Sequence, residues 1–239
     1  MANSGDSQDV AQLLADAARD FEAAPGTQAT LDEVCDRAVA VIAGCRRAGI
    51  IEARREQRGR TLATTSPASE DLHDLQYQLG DGPCVTALWH DRVVWSDDLA
   101  EEQRWPKFAA AAVERGIRSA LGIQLYTHAD TLGALNLYSD TPGAFDEVTR
   151  DVAQVFAAHA AVAIAEERGH AELARALVTR QQIGQATGIL AERHQLTTDE
   201  AFTLLVRASQ NSNTRLRDLA ARLVASENDV RRRSRSPDA

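Results

Sequence analysis

The stretch at residues 117–138, IRSALGIQLYTHADTLGALNLY, decides the class of fold. Two β-like runs, Ile117 to Tyr126 and Thr131 to Tyr138, flank a polar turn at His128, Ala129 and Asp130, which is the pattern of a β-hairpin. Upstream, Gly49 to Glu52 and Thr61 to Thr64 read as the first strands, and polar Arg54 to Arg60 reads as the turn between them. Arg92 to Trp95 is a shorter strand, and Pro106 to Arg115 a short helix with Pro in its first turn. At the start of the chain, Val10, Leu13, Leu14, Ala17 and Phe21 repeat at helical spacing up to the Pro25-Gly26 breaker. Leu31, Val34, Ala38, Val41 and Ile42 do the same up to Gly44. The expected class is α+β, an antiparallel sheet with helices on one side.

Downstream of the hairpin the pattern stays helical from Phe145, with no proline until Pro237. Val148, Val152, Val155, His159 and Val162 form one apolar seam, and Ala153, Phe156, Ala160 and Ala163 a second beside it. The chain's own sheet can cover only one of them, so the second is expected to meet the same helix of another copy in a homodimer. At 100° per residue, Leu173, Ala174, Leu177 and Val178 centre nearly opposite Ile183, Ala186, Ile189 and Leu190, so the buried face switches between Val178 and Ile183.

The end of the chain reads as a three-helix bundle. Its first helix ends near His194. Thr197 with Glu200 makes a capping box for the second, which carries Ala201, Leu204, Leu205 and Ala208 on one face. The third follows Asn213 and shows a stripe of Leu216, Leu219, Ala220, Leu223 and Val224. Outside these stripes stand Arg180, Gln185, Thr187, Arg193, Arg207, Asn211, Arg215, Arg217 and Arg222. Guanidinium groups suit phosphates and splayed bases, and amides read base edges. The charge distribution agrees. The net charge is -9, yet residues 168–239 hold twelve Arg and no Lys against eight acidic residues. An acidic body with a basic end directs any polyanion to that end. The run Arg231-Arg232-Arg233-Ser234-Arg235 reads as a flexible basic tail.

The C-terminal residues Arg180, Ile183, Gln185-Ala186-Thr187-Gly188-Ile189-Leu190, Glu200-Ala201-Phe202, Leu205, Arg207, Asn213, Arg215-Leu216, Asp218 and Ala220 resemble the ANTAR domain. Gln76, Gly80-Asp81-Gly82-Pro83-Cys84, Arg104-Trp105-Pro106, Gly116-Ile117-Arg118-Ser119 and Leu132-Gly133-Ala134-Leu135-Asn136-Leu137-Tyr138 resemble the GAF sensory domain. The two in this order resemble GAF-ANTAR regulators. The resemblance implies a GAF-like antiparallel sheet with flanking helices, a long dimerisation helix and a C-terminal three-helix ANTAR bundle. In domains it implies an N-terminal helical extension at 1–27, a sensor at 28–167, an RNA-binding domain at 168–229 whose first helix continues the sensor's last, and a tail at 230–239. It further implies transcription antitermination on stem-loops of nascent mRNA. The RNA contacts would be Arg180, Gln185, Thr187, Gly188, Arg193, Arg207, Asn211, Arg215 and Arg217. Thr187 stands where the family pattern usually has lysine, and Gly188, lacking a side chain, would allow close approach. A small-molecule ligand in the GAF-like domain, and an upstream kinase or partner protein, are compatible with the resemblance and are not identified by it. Three short helices also suit a DNA-binding helix-turn-helix, and a sensor that signals only through protein partners is a third reading.

Other chemistry finds little support. With only three cysteines, Cys35, Cys45 and Cys84, a disulfide framework is excluded, and they have no CxxC spacing. Cys84 follows Gly82-Pro83 at a helix N-terminus, where thiol pKa falls, but a structural role is the favoured reading. The six histidines have no zinc-ligand spacing, and His159 reads as a hydrogen-bonded or half-exposed residue. No nucleotide loop or catalytic constellation appears, so no enzyme activity is expected. Phe145-Asp146-Glu147 reads as acidic residues opening the long helix. Trp89, Trp95 and Trp105 read as core, with a ligand cavity as the alternative. The longest apolar helical run, Ala157 to Ala165, falls far short of the about 20 residues of a membrane span, and a cytoplasmic protein is expected.

Overall fold

A computed structural model describes residues 4–53 and 60–235. The elements are α1 (Ser4–Ala23), α2 (Thr27–Val41), β1 (Arg47–Glu52), β2 (Thr61–Thr64), α3 (Pro67–Leu79), α4 (Pro83–Trp89), β3 (Val93–Ser96), α5 (Pro106–Glu114), β4 (Ser119–Tyr126), β5 (Thr131–Ser139), α6 (Glu147–His194), α7 (Thr198–Asn211) and α8 (Leu216–Arg235). The chain divides into two compact units, Met1–Gly169 and His170–Ala239.

In the first unit five strands form one antiparallel sheet in the order β2-β1-β5-β4-β3. The hairpin of the opening stretch is its centre, with β4 and β5 paired from Ser119↔Ser139 to Tyr126↔Thr131. The expected β1–β2 turn, Arg54 to Arg60, lies outside the described residues apart from Arg60.

Helices cover both faces of this sheet, not one. Ala48, Ile50, Leu121, Ile123, Leu135 and Leu137 point to a core shared with α1, α2 and α6. Their neighbours along the strands, Ile51, Ala120, Ala134 and Tyr138, point to a second core with α3, α4 and α5. Side chains alternate across a strand, so a sheet buried on both faces loses the apolar-polar alternation that would have announced it.

Local chemistry explains the helix ends. Ser66 caps α3 by accepting from the Ser69 amide at 3.3 Å, Pro67 fits the first turn, and Gly80 closes the helix in the left-handed region at φ 64°. Asp146 accepts from the Thr149 amide at 2.8 Å just before α6, and hydrogen bonding with the Thr149 side chain and then with this amide holds its carboxyl below the usual range. In α7 the capping box is reciprocal, with Thr197 N to Glu200 Oε2 at 2.9 Å and Glu200 N to Thr197 Oγ1 at 3.3 Å.

Of the two α6 seams, Ala153, Phe156 and Ala160 are buried against the first core, where the Phe156 ring meets Phe21 edge-on at 5.4 Å. The other seam stays bare in the single chain, with Val148 71%, Val155 46% and Val162 55% exposed. His159 is exposed on this seam and bonds to the Val155 carbonyl through Nδ1 at 2.8 Å.

In the second unit Ala186, Leu205 and Ala220 form one small core, with Ile183, Leu190, Leu216, Leu219, Leu223 and Val224 packed on it. The α8 helix runs to Arg235, so the segment expected to be a flexible tail from 230 is helical through that residue. Arginine is a good helix former and the preceding turns nucleate the helix. Among the described residues, no helix is long and apolar enough to cross a membrane.

Candidate functional sites

In the C-terminal module, connections of a few residues make α7 run back along α6, and α8 run forward again. Arg193 pairs with Glu227, which lies 34 residues later. The same offset separates Ala186 from Ala220, both buried in the small core. Carried back along α6, it sets Arg180 at the level of Thr214, beside Arg215. Arg180, Arg215 and Arg217 therefore share one end of the bundle with Asn211, the last residue of α7, and all four are exposed. Arg193 sits at the other end. Arg207 is exposed about one turn before Asn211.

One expected contact residue falls elsewhere. Thr187 is 4% exposed and its hydroxyl donates to the Ile183 carbonyl at 2.8 Å. Its place in the Ile183, Thr187, Leu190 stripe turns it inward, so its hydroxyl is not available on the surface. Gln185, two residues away, lies about 200° round the helix and is exposed. Gly188 is also exposed, and a Cβ built there would meet nothing within 4 Å. No close approach within the chain demands a glycine at that position.

In the first unit, the face toward α3 and α4 holds buried polar residues to which the sequence alone assigns no site role. Gln76 on α3 donates through Nε2 to the Tyr138 hydroxyl at 3.3 Å and accepts from the Cys84 amide at 2.8 Å. His73, one turn earlier, is wholly buried, and burial lowers its imidazole to about 3. Cys84 is buried as well, and burial pushes its thiol well up despite the helix N-terminus, which fits the structural role read for it. The only polar residue facing this side in the apolar run of β5 before Tyr138, Asn136, was the available signal.

The three tryptophans do not share a core. Trp105 is buried in the second core, whereas Trp95 is exposed with Arg150 stacked 4.4 Å above its ring. Trp89, also exposed, helps to line a cleft of about 480 Å³ with Arg92, Tyr126 and His128. Among the described residues, no group of three His, Cys, Asp or Glu side chains could hold a metal ion.

A five-stranded antiparallel sheet covered on both faces, with the long helix packed on one of them, defines a sensory-domain fold. The family model of the GAF domain matches residues 24–165, more than half of the chain, and the chain belongs to that family. The ANTAR domain matches residues 171–224, so the order of domains is that of a GAF-ANTAR regulator. No curated protein matches the chain.

Solved structures agree on the fold. The GAF domain of the Acinetobacter phosphoenolpyruvate-protein phosphotransferase is 16% identical over 72% of this chain and 99% of that one, with a TM-score of 0.53. The chromophore-binding domain of the bacteriophytochrome RpBphP3 from R. palustris is 11% identical over 68% of this chain, with a TM-score of 0.52. The photosensory core module of the Stigmatella aurantiaca phytochrome is 11% identical over 81%, with a TM-score of 0.57. The chain spans 63% of the R. palustris domain and 43% of the S. aurantiaca module.

Proposed function

We propose that this protein is a cytoplasmic, signal-responsive RNA-binding regulator that acts by transcription antitermination on stem-loops of nascent mRNA. The observation that carries the reading is the exposed end of the second unit, where Arg180, Arg215 and Arg217 stand with Asn211. Guanidinium groups there attract phosphates and stack on splayed loop bases, while the exposed Gln185 and Asn211 amides can read base edges. Arg207 extends the positive surface along α7, while Arg193, paired with Glu227, stands at the other end of the bundle.

The working unit in this reading is a homodimer joined along the bare seam of α6. Two copies present two modules, which suits paired stem-loops. The signal would enter through the GAF domain and shift the population in which both modules engage RNA.

Hairpin RNA and duplex DNA of matched charge, titrated in the same salt, test this directly. Preference for the hairpin supports the reading. Preference for the duplex favours a DNA-binding factor, and no binding to either favours a sensor that works through protein partners.

A further inference from the structure

The two faces of the sheet are closed differently. Toward α3 and α4, Asn136 of β5 pairs with Gly49 of β1 and Gly122 of β4, and the covering helices press on both glycines. A Cβ at Gly49 would collide with the His73 ring, and one at Gly122 would come within 3.1 Å of the Pro83 carbonyl oxygen. Toward α6 the cover is looser, at the end of the sheet where β3 begins. There α6 offers Ala157, Ala158 and Ala161, whose side chains stop at Cβ, and a groove of about 360 Å³ opens between the helix and the strands. Val93 of β3 and Ile123 of β4 complete its apolar lining, and Val162 of the bare seam borders it as well.

Arg92, just before β3, brings a charge to this apolar lining. Its guanidinium stacks 4.2 Å above the Tyr126 ring and donates through Nη1 to the Tyr126 hydroxyl at 3.0 Å. A ring face and a neutral hydroxyl fix the orientation of the group and leave its charge uncompensated. Among the described residues, no carboxylate lines the groove. Asp130 lines the neighbouring cleft beside Trp89 but not this one. Of the chain's 35 acidic residues 27 precede residue 168, against 14 of its 26 basic ones. A lining with an arginine and no carboxylate therefore runs against the charge of the body around it, and it sets the sign of what the groove takes.

We propose that the groove between α6 and the start of β3 binds a small monocarboxylate with an apolar body, aryl or branched alkyl. The carboxylate pairs with Arg92, whose planar fork matches two oxygens at once. The body lies on Val93, Ile123, Ala157 and Ala161. A single fixed guanidinium suits one carboxylate, whereas a doubly charged phosphate ester would keep an unpaired charge beside the apolar lining. Ligand clefts run from about 300 to 1,000 Å³, so this one stands at the small end and limits the body to one ring or a short branched chain. Val162 belongs both to the groove and to the seam read as joining two copies. Occupancy therefore bears on the surface offered to a second copy, while binding itself does not depend on that reading.

The test uses the full-length protein, labelled at its alanine, isoleucine and valine methyl groups, titrated with phenylacetate, phenylacetamide and acetate. Phenylacetamide keeps the shape without the charge, and acetate keeps the charge without the ring. Saturable shifts at Val93, Ile123 and Ala161 with phenylacetate, and affinities about tenfold or more weaker for the other two, support the proposal. Their loss in Arg92→Gln supports it as well, and Arg92 is exposed, so this change spares the core. Equal affinity for phenylacetamide overturns the carboxylate class, and equal affinity for acetate overturns the apolar body. No response to phenylacetate, a response confined to methyl groups away from the groove, or the same response in Arg92→Gln overturns the site. The probe series in the unmodified protein is decisive even without the variant.

Discussion

The Thr187 hydroxyl donates to the Ile183 carbonyl one turn back on the same helix, and that bond takes the side chain away from solvent. Thr187→Val keeps the shape and removes only this bond, so hairpin affinity should stay within about twofold of wild type. Gln185→Ala, on the opposite side of the helix, should instead cost about 1 to 3 kcal/mol on the cognate loop and relax its sequence preference. Titration of both variants against cognate and scrambled hairpins decides whether the outer face of α6 reads the RNA.

Arg215 opens the third helix of the bundle at the same end as Arg180. Arg215→Ala should weaken every hairpin about equally and lower the salt slope by roughly 0.7 to 0.9 for one lost phosphate contact. Affinities at three salt concentrations give the slope. A loss confined to one loop sequence would make Arg215 a base-reading residue instead.

The two seams of α6 should answer differently to charge. Val155→Glu with Val162→Glu, on the bare seam, should give folded monomers with weakened RNA binding, seen by sedimentation and by an unchanged melting curve. Phe156 is 1% exposed and belongs to the core, so Phe156→Ala should destabilise the fold itself by about 3 to 5 kcal/mol. A dimer unaffected by the valine changes would remove this seam from the interface.

Acid should loosen the sensor through His73. Its imidazole titrates near about 6.5 in the unfolded chain and at about 3 in the fold. Between those values the unfolded state binds the extra proton, so stability is full above about pH 6.5 and falls as pH drops towards 3. The slope is at most about 1.4 kcal/mol per pH unit. Melting at pH 7 and pH 5 should show a larger loss for wild type than for His73→Gln.

The hairpin of residues 117–138 and the long helix were legible because each follows one strong period over many residues. The α3 helix is not legible in that way, although Ser66-Pro67 before Ser69 and Glu70 carries both a cap and a first-turn proline. Its apolar side is interrupted by His73 and Gln76, the residues that make it interesting, and this breaks the stripe that periodicity needs. The second face of the sheet was hidden for a related reason. Residues Leu132 to Ser139 are buried throughout, so both parities look alike. The basic residues of the C-terminal module could be read from composition, but the inward turn of Thr187 needed the Ile183 to Leu190 stripe to be weighed above the motif.

Gly49 and Gly122 have a consequence for how such a sensor diversifies. Any side chain at Gly49 presses on the His73 ring, and any at Gly122 crowds the Pro83 carbonyl. Substitution at these two positions displaces the covering helices before anything else on that face can change. Variation on this face of the sheet is therefore channelled toward Asn136 and the residues of α3 and α4. The strand backbone on either side stays a fixed wall against which new packings are tried.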